Sequence, residues 1–166
     1  DVAEGRAQAD TLFTNAQIVD VYGQRVVRGR VAVADGAIAG VLFDDRDGAV
    51  PDPPAAQVID CEGRYLAPGF IDGHLHIESS NVRPAEYARM ALARGTTTAI
   101  ADSHEIANVC GLDGLAFMIE DARRVPLDIK FMMPSCVPAL PDEQAGASIT
   151  AEDMRAFMGE HPGEVF

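Results

Sequence analysis

The chain has 166 residues, 48% hydrophobic and 23% charged, a globular composition that excludes disordered and fibrous classes. Its 13 basic against 26 acidic side chains give a net charge of −13, which argues against the polyanions, nucleic acid and anionic membrane, as partners. Three cysteines without a C-x-x-C exclude a zinc ribbon and a thioredoxin-type site, and so sparse an odd count suits reduced thiols in the cytoplasm. No apolar run approaches the roughly 18 residues of a membrane span, and no basic segment followed by an apolar one marks a signal peptide. The first residue is Asp1 rather than Met, so a missing N-terminal segment is expected.

Residues 11–66 read as β structure: TLFTNAQIVDV, QRVVRGRVAVADG, AIAGVLF and QVIDCEGRYL are rich in Val and Ile and are separated by turn residues. Asp35-Gly36 between two alternating apolar runs predicts a hairpin. Residues 44–57, charged and holding three prolines, predict a loop. The expectation for 1–66 is part of a small, mostly antiparallel β domain without chemistry of its own.

From Leu66 the rhythm changes. GFIDGHLHI (69–77) is strand-like, and PAEYARMALAR (84–94) is helical, with Pro84 in the first turn and Gly95 at its end. TTTAIAD (96–102) is the next strand, GLDGLAFMIEDARRV (111–125) a second helix and LDIKFMM (127–133) a third strand. Thr150-x-x-Asp153 predicts the cap of a third helix, and EVF (164–166) begins a fourth strand. Strand starts recur about every 30 residues, as in a (β/α)₈ barrel of roughly 250 residues. An open doubly wound sheet shares that local rhythm, but no glycine-rich phosphate-binding loop follows any strand. Residues 67–166 are therefore expected to form consecutive βα units of one parallel sheet.

Candidate chemistry gathers at three strand ends. His74 and His76, two apart on a strand, share a face and can serve one metal ion. Asp72 and Glu78 have the same parity, whereas Ile71, Leu75 and Ile77 point the other way. The alternative is a pair of histidines meeting hydrogen-bond needs in a core. His76-x-Glu78 matches the H-x-E of zinc nucleoside deaminases, but the required P-C-x-x-C is absent. The second cluster is Asp102-Ser103-His104-Glu105, with Asp102 and His104 on one face. Asn108 stands where H-E-x-x-H needs its second histidine, which excludes a zincin. Its alternative is a loop in which Asp102 caps a helix and Glu105 is solvated. In the third cluster, Pro134-Ser135-Cys136-Val137-Pro138, Ser135 could line a pocket, while Cys136, without a nearby base, is a poor nucleophile, and a loop stiffened by two prolines is the expected reading.

The segment LAPGFIDGHLH (66–76) resembles the first-strand signature of the metal-dependent amidohydrolase superfamily. HIESS (76–80), ADSHEIANV (101–109), GLDG (111–114) and PSCVPA (134–139) resemble, more specifically, its bacterial adenine deaminases, which hydrolyse adenine to hypoxanthine and ammonia. In that group the middle motif usually reads Asp-Pro-His-Glu; here Ser103 replaces the proline, which removes no ligand.

The resemblance implies a (β/α)₈ barrel attached to a small β domain. It also implies a cytoplasmic enzyme and a centre of two divalent ions, manganese or iron ahead of zinc. His74 and His76 would be first-strand ligands, with Asp102 and His104 as further candidates. His104 and Glu105 would carry catalytic roles, and Asp72, Glu78, Ser79 and Ser135 would border the substrate. The implied partner is a small purine, with a homo-oligomer, a dimer, as the expected assembly. In the family a metal-bridging carboxylate follows strand four, histidines follow strands five and six and a catalytic aspartate follows strand eight, so a chain ending at Phe166 is expected to be an inactive N-terminal fragment. The rival expectations are another cyclic amidohydrolase, dihydroorotase-like or hydantoinase-like, and a non-catalytic metal-binding module complete at this length.

Overall fold

In the computed structural model, which describes residues 1–140, 142–144 and 146–166, the first β-rich run forms β1 (Ala9–Asp20), antiparallel to β2 (Arg25–Ala34). Asp35 and Gly36, at φ of 52° and 72°, turn the chain into β3 (Ala37–Phe43). Positive φ at both turn residues is what a two-residue hairpin of type I′ requires, and Asp and Gly are among the residues that tolerate it. The expected loop at 44–57 is shorter. A four-residue turn of helix, α1 (Asp44–Asp47), opens it, and β4 (Ala55–Asp60) begins directly after Pro54. The three prolines bar strand pairing only up to that point. β4 and β5 (Tyr65–Leu66) add parallel to β1, so the antiparallel meander carries two parallel additions. Such pairings join distant segments and leave no local pattern.

The chain divides into two compact units, Asp1–Pro68 and Gly69–Phe166. In the second, β6 (Phe70–Leu75), β7 (Thr96–Asp102) and β8 (Asp128–Met132) form a parallel sheet in that order. Residues 164–166 lie along β8, with Phe131 and Val165 bridged in parallel and Phe131 N donating to the Glu164 carbonyl at 2.7 Å. α2 (Pro84–Leu92) and α3 (His104–Ala122) follow their strands, and Ala99, Ala101, Leu115, Ile119 and Phe131 are buried between sheet and helices. Asp121 of α3, almost wholly buried, accepts the Ala85 amide at 2.8 Å and pairs with Arg83, which ties the two helices together.

Two local expectations need correcting. α3 starts at His104 rather than Gly111, so the segment after β7 is helix and not loop, and Ser103, not Asp102, is its N-cap. No side chain caps that end, and the polar first turns lack apolar periodicity, so the sequence gives little warning of it. Gly111, at φ 61° and ψ −146°, kinks the helix where the sequence suggests a start. The strand alternation around the histidines also breaks: Asp72 opposes Ala99 but Leu75 opposes Ala101, three steps against two. This bulge takes Asp72 off the parity of His74 and leaves Ile71 exposed on the edge strand. α4 (Ala151–Glu160) has its cap as expected, with Thr150 and Asp153 bonding reciprocally. Among the described residues no helix is long and apolar enough to cross a membrane.

Candidate metal centre

Parallel strands bring their C-terminal ends to one edge of the sheet, and two of the three clusters meet there. His74 lies near the end of β6, His76 just beyond it, and Asp102 closes β7. One ligand atom from each of these three side chains falls within 4.8 Å of the others. The two imidazoles meet edge to face with ring centroids 5.3 Å apart. Asp102 Oδ1 is buried and accepts no hydrogen bond. A buried carboxylate oxygen without a donor is costly unless a cation or proton compensates it. Two imidazoles and one carboxylate suit zinc, iron or manganese. The residues present therefore fit a divalent cation.

Glu105, in the first turn of α3, reaches back to this group. Its Oε2 lies 2.8 Å from His76 Nδ1, and its Oε1 accepts the Ser79 hydroxyl at 2.8 Å. The hydrogen bond to Glu105 raises the His76 pKa above its ordinary value, against the opposing effect of burial. Burial pushes the Glu105 carboxyl up, but the bonds from His76 and Ser79 outweigh it and hold the group below its ordinary value. Glu78, half-buried, takes the Ile106 amide on Oε1 at 3.4 Å and leaves Oε2 without a partner. Burial is the main reason its pKa is raised.

His104 stands outside the three-residue group. Its Nε2 donates to the Cys136 carbonyl at 3.1 Å and lies 3.6 Å from Cys136 Sγ. Cys136 thus lies beside an imidazole from a segment 32 positions away that no local motif could link to it. Asp72 lies beside the Tyr87 phenol, whose pKa is raised first by burial and then by that carboxylate. Ser135 is exposed in the loop after β8. Cavities of about 340 and 430 Å³ lie elsewhere, one beside Arg123 and Glu164 and one over β1 to β3.

The chain is 52% identical over 153 residues to an adenine deaminase 2 of Desulfotalea psychrophila, covering 92% of this chain and 25% of the relative. It is 49% identical over 160 residues to an adenine deaminase of Nitratidesulfovibrio vulgaris, and 46% identical over 160 residues to one of Bacillus velezensis, covering 96% of this chain and 26% of each relative. The chain thus spans about a quarter of the length of the curated relatives it matches. Among solved structures it shares its fold with an N-acyl-D-glutamate deacylase of Bordetella bronchiseptica complexed with zinc, at TM-score 0.55 and 24% identity, covering 92% of this chain and 35% of that one. An atrazine chlorohydrolase of Arthrobacter aurescens complexed with zinc matches at TM-score 0.59 and 15% identity, covering 93% of this chain and 45% of that one. The amidohydrolase family profile matches residues 65–164, which contain both strand ends and every residue of the cluster. This chain belongs to the amidohydrolase family.

Proposed function

We propose that the protein carrying this chain hydrolyses adenine to hypoxanthine and ammonia, and that β6, β7 and β8 are the first strands of a (β/α)₈ barrel. The observation that carries the reading is the meeting of His74, His76 and Asp102 at the C-terminal strand ends, where barrel enzymes place their sites. The names of the similar proteins supply the substrate.

His74, His76 and Asp102 hold the cation in this reading, with a second divalent ion nearby and iron or manganese preferred over zinc. Such ions supply a bound water acidic enough to serve as hydroxide near neutral pH. His104, whose Nδ1 lies 3.5 Å from Asp102 Oδ1, is the imidazole best placed to exchange a proton with a group bound at Asp102. Glu78, Ser79 and Ser135 border the purine, and Asp72 steadies the strand through Tyr87.

The test is an assay of the protein at the length of its relatives, loaded with manganese or iron and given adenine. Equal amounts of hypoxanthine and ammonia are expected. Turnover of dihydroorotate or hydantoin with adenine untouched would replace this reading with a cyclic amidase.

A further inference from the structure

We infer that Glu105 is a positioning residue: it fixes His76 as the Nδ1–H tautomer, so that Nε2 is the nitrogen His76 offers to a cation. The inference rests on reading His74, His76 and Asp102 as a cation site, and it assigns work to a residue outside that group.

An ionised carboxylate can only accept, so the 2.8 Å approach of Glu105 Oε2 to His76 Nδ1 requires a proton on that nitrogen. In a neutral imidazole the lone pair then sits on Nε2. The other carboxylate oxygen is also occupied, by the Ser79 hydroxyl at 2.8 Å. His76 and Ser79 lie at either end of the short 3₁₀ turn that follows β6, so Glu105 grips that turn at two points. With one bond on each oxygen, the carboxylate is held in the orientation from which it fixes the His76 ring.

The placement of Glu105 supports the same role. It sits in the first turn of α3, where unpaired amides and the positive end of the helix favour the ionised form. The neighbouring carboxylate makes no bond to His76: Glu78 Oε1 takes the Ile106 amide, and its buried Oε2 has no hydrogen-bond partner. Carboxylates that bind the far nitrogen of a metal-ligating histidine orient the ring and fix its tautomer, and removing them commonly lowers metal affinity by about 10–100-fold.

Imidazole ¹H–¹⁵N NMR of the full chain, without metal and on the alkaline side of the His76 titration, reads the tautomer directly. Zinc titration of the same samples reads affinity. The wild-type protein is expected to show His76 protonated on Nδ1. Glu105→Ala is expected to bring in the Nε2–H form and to weaken zinc binding by about 10–100-fold. Glu105→Gln, whose amide oxygen still accepts from Nδ1, is expected to retain the tautomer and most of the affinity. An Nε2–H tautomer in the wild type, or an unchanged tautomer and affinity in Glu105→Ala, overturns the inference. If Glu105→Ala does not fold, the wild-type tautomer and Glu105→Gln still decide it. A wild-type chain that shows the Nδ1–H form but binds no zinc at His74 and His76 refutes the cation site and leaves the orienting role of Glu105 standing.

Discussion

Asp102 Oδ1 lies 3.5 Å from His104 Nδ1, yet it is buried and accepts no hydrogen bond. An unpaired buried oxygen costs stability, and at a ligand position that cost is offset when a cation arrives. Asp102→Asn separates the two effects. The metal-free variant should unfold at the same urea concentration as the parent or a higher one, while zinc affinity should fall about tenfold or more. Loss of stability with unchanged affinity would make Asp102 a purely structural residue.

His76 and Glu105 together define a pH window. Because the His76 pKa is raised, its contribution is fully present below the ordinary value of 6.5 and is lost as pH rises through the raised value. Because the Glu105 pKa is lowered, its contribution is present above 4.5 and is lost as pH falls through the lowered value. The metal-free link is therefore strongest between those limits. A cation needs the His76 lone pair, so metal affinity should rise with pH through the raised His76 value, and binding near neutrality should release a proton. Calorimetric titration in buffers of different ionisation enthalpy measures that release, and heats independent of buffer would contradict it.

Gly111 at φ 61° and ψ −146° occupies backbone space open almost only to glycine, and an added Cβ would meet Ala147 Cβ at 3.2 Å. Gly111→Ala is expected to cost about 1–3 kcal/mol and to disturb the helical turn that carries His104 and Glu105. Gly159→Ala in α4 meets nothing within 4 Å and should stabilise by about 0.5 kcal/mol. Thermal unfolding of both variants checks the contrast.

Phe131 of β8 is 1% exposed and also receives the 164–166 segment. Phe131→Ala is expected to cost about 4 kcal/mol and to release Val165 from the sheet. Hydrogen exchange at the amide of Phe166, which donates to the Phe131 carbonyl at 3.0 Å, reports the second effect.

Much of this was legible wherever the signal is local. The Asp35-Gly36 turn, the strand at 96–102 and the Thr150–Asp153 cap each follow from residues within a few positions of one another. The His74–His76 pair is legible as a spacing of two; Asp102 is a candidate there only through the family resemblance, and the structure brings it, but not His104, into one group with the pair. What remained hidden was non-local or broke periodicity. The bulge between Asp72 and Leu75 defeats a parity argument because one extra residue reverses every later side chain. The start of α3 escaped because no side chain caps it. Glu105 meets His76 across 29 positions and Cys136 meets His104 across 32, contacts that only the parallel sheet creates.

The central claim is that His74, His76 and Asp102 share one divalent cation. Titrating Mn²⁺ into the ¹⁵N-labelled chain while recording amide and imidazole signals tests it most directly, because broadening falls off steeply with distance from the ion. The account predicts that His74, His76 and Asp102 broaden first, at low metal, and that this selectivity vanishes in the His74→Ala/His76→Ala variant. With a net charge of −13, exposed carboxylates offer the alternative. Broadening spread over the acidic surface, with the strand ends no more affected than the rest and the double variant unchanged, would contradict the claim.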